Sequence, residues 1–110
     1  MPYMRNGPEH RWGDRVRVNI PVRVEAGRVT GASARMQNLS LSGALMTSDS
    51  DLRLNTLIEV SIALPPPSTR IAVIKALVAR KFTEGVGIEW YDFAPNIIRD
   101  LLRYALRTPP

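Results

Sequence analysis

Two groups of side chains stand out for what they can grip. Arg11 and Arg15 bracket Trp-Gly-Asp, and Asn38, Ser40 and Gly43 recur within Asn-Leu-Ser-Leu-Ser-Gly. A guanidinium presents a planar fork that fits a phosphate or a guanine edge. The second group supplies small donors and acceptors and ends on a glycine, where backbone can turn sharply or approach a flat base. In an extended chain Arg11 and Arg15 would stand roughly 13 Å apart, too far to share one compact ligand easily. The intervening Gly13-Asp14 is a turn signal that draws them together. Together the two groups describe a small anion-binding site in which each charge-assisted hydrogen bond contributes about 1.5–3 kcal/mol. Either group alone is ordinary: with 13 arginines in the chain, an Arg-x-x-x-Arg spacing arises readily on a solvated surface.

The same inventory argues against catalysis. His10 is the only histidine and there is no cysteine, so no transition-metal cluster and no Cys-His or Ser-His dyad is expected. Asp49 and Asp51 lack the glycine and distal glutamate of a calcium loop. No carboxylate pair stands out as an acid–base couple, and no enzyme, metal or cofactor is expected.

The elements that must hold these residues follow from periodicity. At 110 residues the chain is one domain. Its 45 % apolar and 23 % charged residues place it with ordinary globular proteins. The apolar stretches at residues 71–74 and 76–79 are far shorter than the roughly 20 residues of a membrane span, so no membrane association is expected. The opening residues lack the apolar run of a secretory signal, which points to the cytoplasm. A net charge of +5, carried by 13 arginines against two lysines, favours an anionic partner, although a GC-rich codon bias produces the same excess.

Residues 15–25 alternate strictly, with Val16, Val18, Ile20, Val22 and Val24 on one face of a half-buried strand. Pro21 falls on the polar parity and predicts an edge or a bend. A second strand is expected over residues 32–42, after the Ala26-Gly27 turn, with Gly43 interrupting it before Ala44-Leu45-Met46. Residues 48–51 read as a loop. Ile58, Val60, Ile62 and Leu64 alternate until Pro65-Pro66-Pro67, residues 71–82 begin another strand, and Val86, Ile88 and Trp90 close the series. Alternation in residues 38–42 predicts Leu39 and Leu41 inward, with Asn38, Ser40 and Ser42 outward as one polar floor.

The period then lengthens. Over residues 95–107, Ile97, Ile98, Leu101, Leu102, Ala105 and Leu106 form the stripe of an amphipathic helix, with proline in its first turn and arginine in its last. About 12 residues of helix are marginal alone, so Ile98, Leu102 and Leu106 are expected to pack on the barrel or on a second subunit, as in a homodimer. Many short strands followed by one helix imply a closed or nearly closed antiparallel barrel.

An arginine pair before an alternating strand, Asn38-x-Ser40-x-x-Gly43 at the end of the next, and Gly85-Val86-Gly87-Ile88-Glu89-Trp90 before a terminal helix resemble, in that order, the PilZ family of cyclic di-GMP receptors. The resemblance covers nearly the whole chain. It implies a six-stranded antiparallel β-barrel with a C-terminal helix over residues 15–110, preceded by a flexible arm, residues 1–14, that carries the first motif arginine. It implies binding of cyclic di-GMP without catalysis, and a downstream protein partner that senses the bound state. Arg11 and Arg15 would contact guanine edges and phosphates; Asn38, Ser40 and Gly43 would recognise a guanine and the ribose-phosphate ring. His10 stands where the family often has a third arginine linked to binding an intercalated dinucleotide dimer, which leaves one or two ligands per site open. Asn38 replaces the commoner aspartate, offering a neutral amide and a modestly weaker grip. His10 and Trp12 flank the motif as candidate contacts, and a partly exposed tryptophan that covers the barrel accounts for Trp12 at least as well. Two other readings use the same residues: a barrel of this fold that binds only protein, and a small basic barrel for single-stranded nucleic acid. The few exposed aromatics disfavour the last, which needs stacking platforms.

Overall fold

The structure, a computed structural model, describes residues 15–27, 29–92 and 95–107. His10, Arg11 and Trp12, and with them the arm over residues 1–14, lie outside the described residues. Six strands run in the order β1 (Val16–Ala26), β2 (Val29–Leu39), β3 (Gly43–Ser48), β4 (Leu57–Ala63), β5 (Ile71–Lys81) and β6 (Val86–Trp90), and a helix, α1 (Asn96–Arg107), follows. All pairings are antiparallel, and the sheet closes on itself as β1-β2-β3-β6-β5-β4. Closure leaves no strand with an unpaired edge.

The core follows the period-two pattern of the apolar residues. Val18, Val22 and Val24 of β1, Ile58, Val60 and Ile62 of β4, and Val86, Ile88 and Trp90 of β6 are all buried. Val16 and Ile20 are partly buried against them. The strand bearing Pro21 is paired on both sides, not an edge. The proline is tolerated because β1 first meets β4 at Val22, and because the β1–β2 register is already shifted between Arg17 and Ile20.

β2 departs from simple alternation. Met36 and Leu39 both point into the core although three residues separate them, because the β2–β3 register shifts between Met36 and Asn38. This bulge turns Asn38 outward at the end of the strand. β2 stops at Leu39 rather than continuing to residue 42, and the chain turns through residues 40–42 into β3.

Helix α1 packs on the barrel beside β1. Ile98 and Leu101 are buried, with Ile97, Leu102 and Ala105 partly so. The stripe is therefore centred on Ile98 and Leu101; the side chain of Leu106 lies outside the described residues. The Pro95 carbonyl accepts from Ile98 and Arg99 at 3.0 and 3.1 Å and so starts the helix.

Candidate functional site

Strand register brings the two sequence motifs together. Arg17 pairs with Asn38 and Val16 with Leu39, so the residue just before β1 lies beside the end of β2. There Arg15 Nη1 donates to Asn38 Oδ1 at 2.8 Å. The same oxygen accepts from the backbone N–H of Leu45 at 3.2 Å. Holding the Asn38 amide from both sides fixes its orientation and anchors an exposed guanidinium without neutralising it. Asn38 Oδ1 is thus occupied by the protein, and its amide nitrogen is the group left to a ligand.

Beside this pair is a cavity of about 370 Å³, lined among others by Arg15, Asn38, Gly43, Arg80, Phe82 and Glu89. It lies on the outer surface of β3 and β6, between the end of β2 and the end of β5. Gly87 forms part of its floor: a Cβ there would stand 3.4 Å from the Phe82 ring and 3.6 Å from Arg80 Cβ, in space now open. Phe82 is 47 % exposed, an aromatic face at the rim. Arg80 and Phe82 carry no motif, and Glu89, although inside the stretch over residues 85–90, is not among the expected site residues. Their trace in the sequence was only the Arg80-Lys81-Phe82 run that ends β5 and the alternation that sends Glu89 outward.

Ser40 corrects the expected polar floor. It does not face outward with Asn38 but is fully buried. Its Oγ accepts from the backbone N–H groups of Ser42 and Gly43 at 3.3 and 3.2 Å, and pairs with Ser42 Oγ at 3.1 Å. Its backbone N–H donates to the Gly43 carbonyl at 2.8 Å, and its carbonyl accepts from Trp90 Nε1 at 3.1 Å. β2 ends at Leu39, so strand alternation no longer applies. The serine folds under the turn and satisfies backbone donors that would otherwise be buried without partners. Leu41, expected inward, is only partly buried.

Gly43 has a structural cause of its own. A Cβ at this position would lie 1.9 Å from the Ile88 carbonyl oxygen, so only glycine lets β3 approach β6 this closely. Gly43 and Ser42 both border the cavity, while Ser40 supports it from below. Among the described residues no group of His, Cys, Asp and Glu side chains could hold a metal ion.

The described chain is a closed antiparallel barrel with an arginine-edged, aromatic-rimmed pocket on its outer wall. The PilZ domain family profile matches residues 9–107, and the chain belongs to that family, whose members are in general cyclic di-GMP receptors and adaptor domains rather than catalysts. Among solved structures, the chain is similar to the PilZ domain of CeSA from a cellulose-synthesising bacterium, with a TM-score of 0.59 and 18 % identity over 86 % of this chain and 94 % of that one. Among curated proteins none matches by sequence. No described helix is long and apolar enough to cross a membrane.

Proposed function

We propose that this domain is a non-catalytic cyclic di-GMP receptor whose ligand occupies the cavity beside Arg15 and Asn38. The observation that carries this reading is the 2.8 Å contact between Arg15 and Asn38, which joins the two family motifs on the wall of one pocket. Arg15, with Arg11 from the preceding arm, grips phosphate and guanine edges. The Asn38 amide nitrogen donates to a guanine acceptor, and Gly43, by letting β3 approach β6, shapes the wall against which the ring lies. Phe82 and Arg80 offer surfaces on which a base stacks, and Glu89 offers an acceptor for the donor edge of guanine. Ser40 acts by shaping the turn. His10 and Trp12 flank the ligand.

Binding draws residues 10–15 against the barrel, and a partner protein in the bacterial cytoplasm reads that change. Such a partner can gain no more selectivity than the difference between its affinities for the two states. Titration calorimetry with cyclic di-GMP beside GMP, GTP and a short single-stranded oligonucleotide tests the reading. Micromolar or tighter binding of cyclic di-GMP alone is expected, because only the dinucleotide engages both motifs at once. Absence of heat at high ligand concentration with folded protein rejects it.

A further inference from the structure

A second and larger cavity, of about 610 Å³, lies on a different part of the outer wall, across β4, β1 and β2. Its volume is within the roughly 300–1,000 Å³ of ligand-accepting clefts. One side is apolar: Ile71, Ala63 and Pro21 form a continuous row, through the pairing of Ile71 with Ala63 and the position of Pro21 beside the start of the β1–β4 ladder. Ile71 is 67 % exposed, and Val73, which follows it on the same face of β5, is 58 % exposed. The other side carries Arg23 and Arg35. They sit diagonally on adjacent strands, since Arg35 pairs with Pro21 and Arg23 with Ser33.

Both guanidinium groups are held in place by neutral oxygens. Arg23 Nη2 donates to the Gly31 carbonyl at 2.6 Å, and Arg35 Nη1 donates to Asn19 Oδ1 at 2.7 Å. Among the described residues neither is ion-paired with a carboxylate. Neighbouring like charges on a sheet face repel, and the lining offers one carboxylate against the two cations, Asp49, which lies beside Ser33 and makes no ion pair among the described residues. Two pre-positioned cations with free donors beside an exposed apolar row are complementary to one chemistry. Asp49, at the β3 end of the groove, marks where an acidic occupant must stop.

We infer that this groove is a docking surface for an extended protein segment in which acidic residues alternate with aliphatic ones, the acids meeting Arg23 and Arg35 and the aliphatics covering Ile71, Ala63 and Pro21. Alternation follows from the register: a segment lying along the strands has Ile71 and Val73 of β5 on one side and Arg23 and Arg35 of β1 and β2 on the other, and an extended chain directs successive side chains to opposite sides. Orientation of the guanidinium groups before binding lowers the ordering cost of the complex. The surface shares β2, β3 and β5 with the cavity beside Arg15 but none of its lining residues. The inference therefore stands apart from the nucleotide reading.

The test uses the full chain and three eight-residue acetylated peptides: Glu-Leu-Asp-Ile repeated twice, the same with lysine at each acid, and Glu-Ser-Asp-Ser repeated twice. Saturable binding of the first alone is expected, with amide shifts at Arg23, Ser33, Arg35 and Ile71. The double variant R23E/R35E should weaken it at least about tenfold, and the gentler R23Q/R35Q in the same direction, with Ile71→Ser also weakening it. The thermal denaturation midpoint of each variant is the control for an intact barrel and should be unchanged. Equal binding of the lysine peptide, shifts confined to another face, or indifference to both arginine variants overturns the inference. So does preference for a ten-nucleotide thymidine strand over the acidic peptide.

Discussion

Trp90 Nε1 donates to the carbonyl oxygen of Ser40 at 3.1 Å, joining residues 50 positions apart. This bond ties the last strand of the barrel to the turn that borders the cavity beside Arg15 and Asn38. Trp90 N–H also bonds the Ser42 carbonyl at 3.0 Å, so one residue of β6 holds both ends of that turn. Loss of either group should be felt first as instability.

Ser40→Ala leaves the buried N–H of Gly43 and the part-buried N–H of Ser42 without their side-chain acceptor, at a cost of about 1–3 kcal/mol. Trp90→Phe removes the indole donor and some buried volume, with a cost of similar size. Thermal denaturation of both variants should show lowered midpoints before any ligand is added. A Ser40→Ala protein that melts like the parent yet loses nucleotide binding would make the hydroxyl a ligand contact instead.

The two glycines at the pocket should separate cleanly. Gly43→Ala drives a Cβ to 1.9 Å from the Ile88 carbonyl, so β3 and β6 must part, at about 1–3 kcal/mol or more. Gly87→Ala meets only ordinary contacts at 3.4 Å and beyond, so stability should hold while the filled floor weakens ligand binding. Melting curves and calorimetry on the pair distinguish a glycine needed for strand approach from one needed for space.

Arg15→Ala should weaken cyclic di-GMP binding by about 2 kcal/mol with little change in melting temperature, because the side chain is exposed. Lysine should not rescue it, since it keeps the charge but loses the fork that reaches both Asn38 and the ligand. Binding by Arg15→Lys equal to the parent would show that bulk charge alone suffices.

Trp12 fluorescence should change on adding cyclic di-GMP, and amide exchange over residues 10–15 should slow while that of Val18, Val22 and Val24 stays constant. Equal protection of residues 10–15 with and without ligand would mean that the site is formed in advance.

Ile98→Ala at the buried face of α1 should cost about 2–5 kcal/mol, and truncation after Pro95 more, because the barrel surface beneath would be exposed. A truncated protein that remains soluble with an unchanged midpoint would make α1 a partner-docking element rather than part of the fold.

The sequence by itself determined the strands and the helix, because side-chain period reports directly on which face is buried. The valines of β1 and the stripe from Ile97 to Ala105 could form their elements in only one way. The order of motifs also marked Arg15, Asn38 and Gly43 as neighbours. Three matters were decided only by the tertiary structure. Ser40 lies inside, since where β2 ends depends on a bulge opposite β3 that no local pattern encodes. Gly43 answers to a carbonyl of β6, a partner 45 residues along the chain. Arg80, Phe82 and Glu89 join the pocket because closure of the barrel sets β6 between β3 and β5. Contacts between strands distant in sequence depend on register and closure, which arise only when the whole sheet packs around one core.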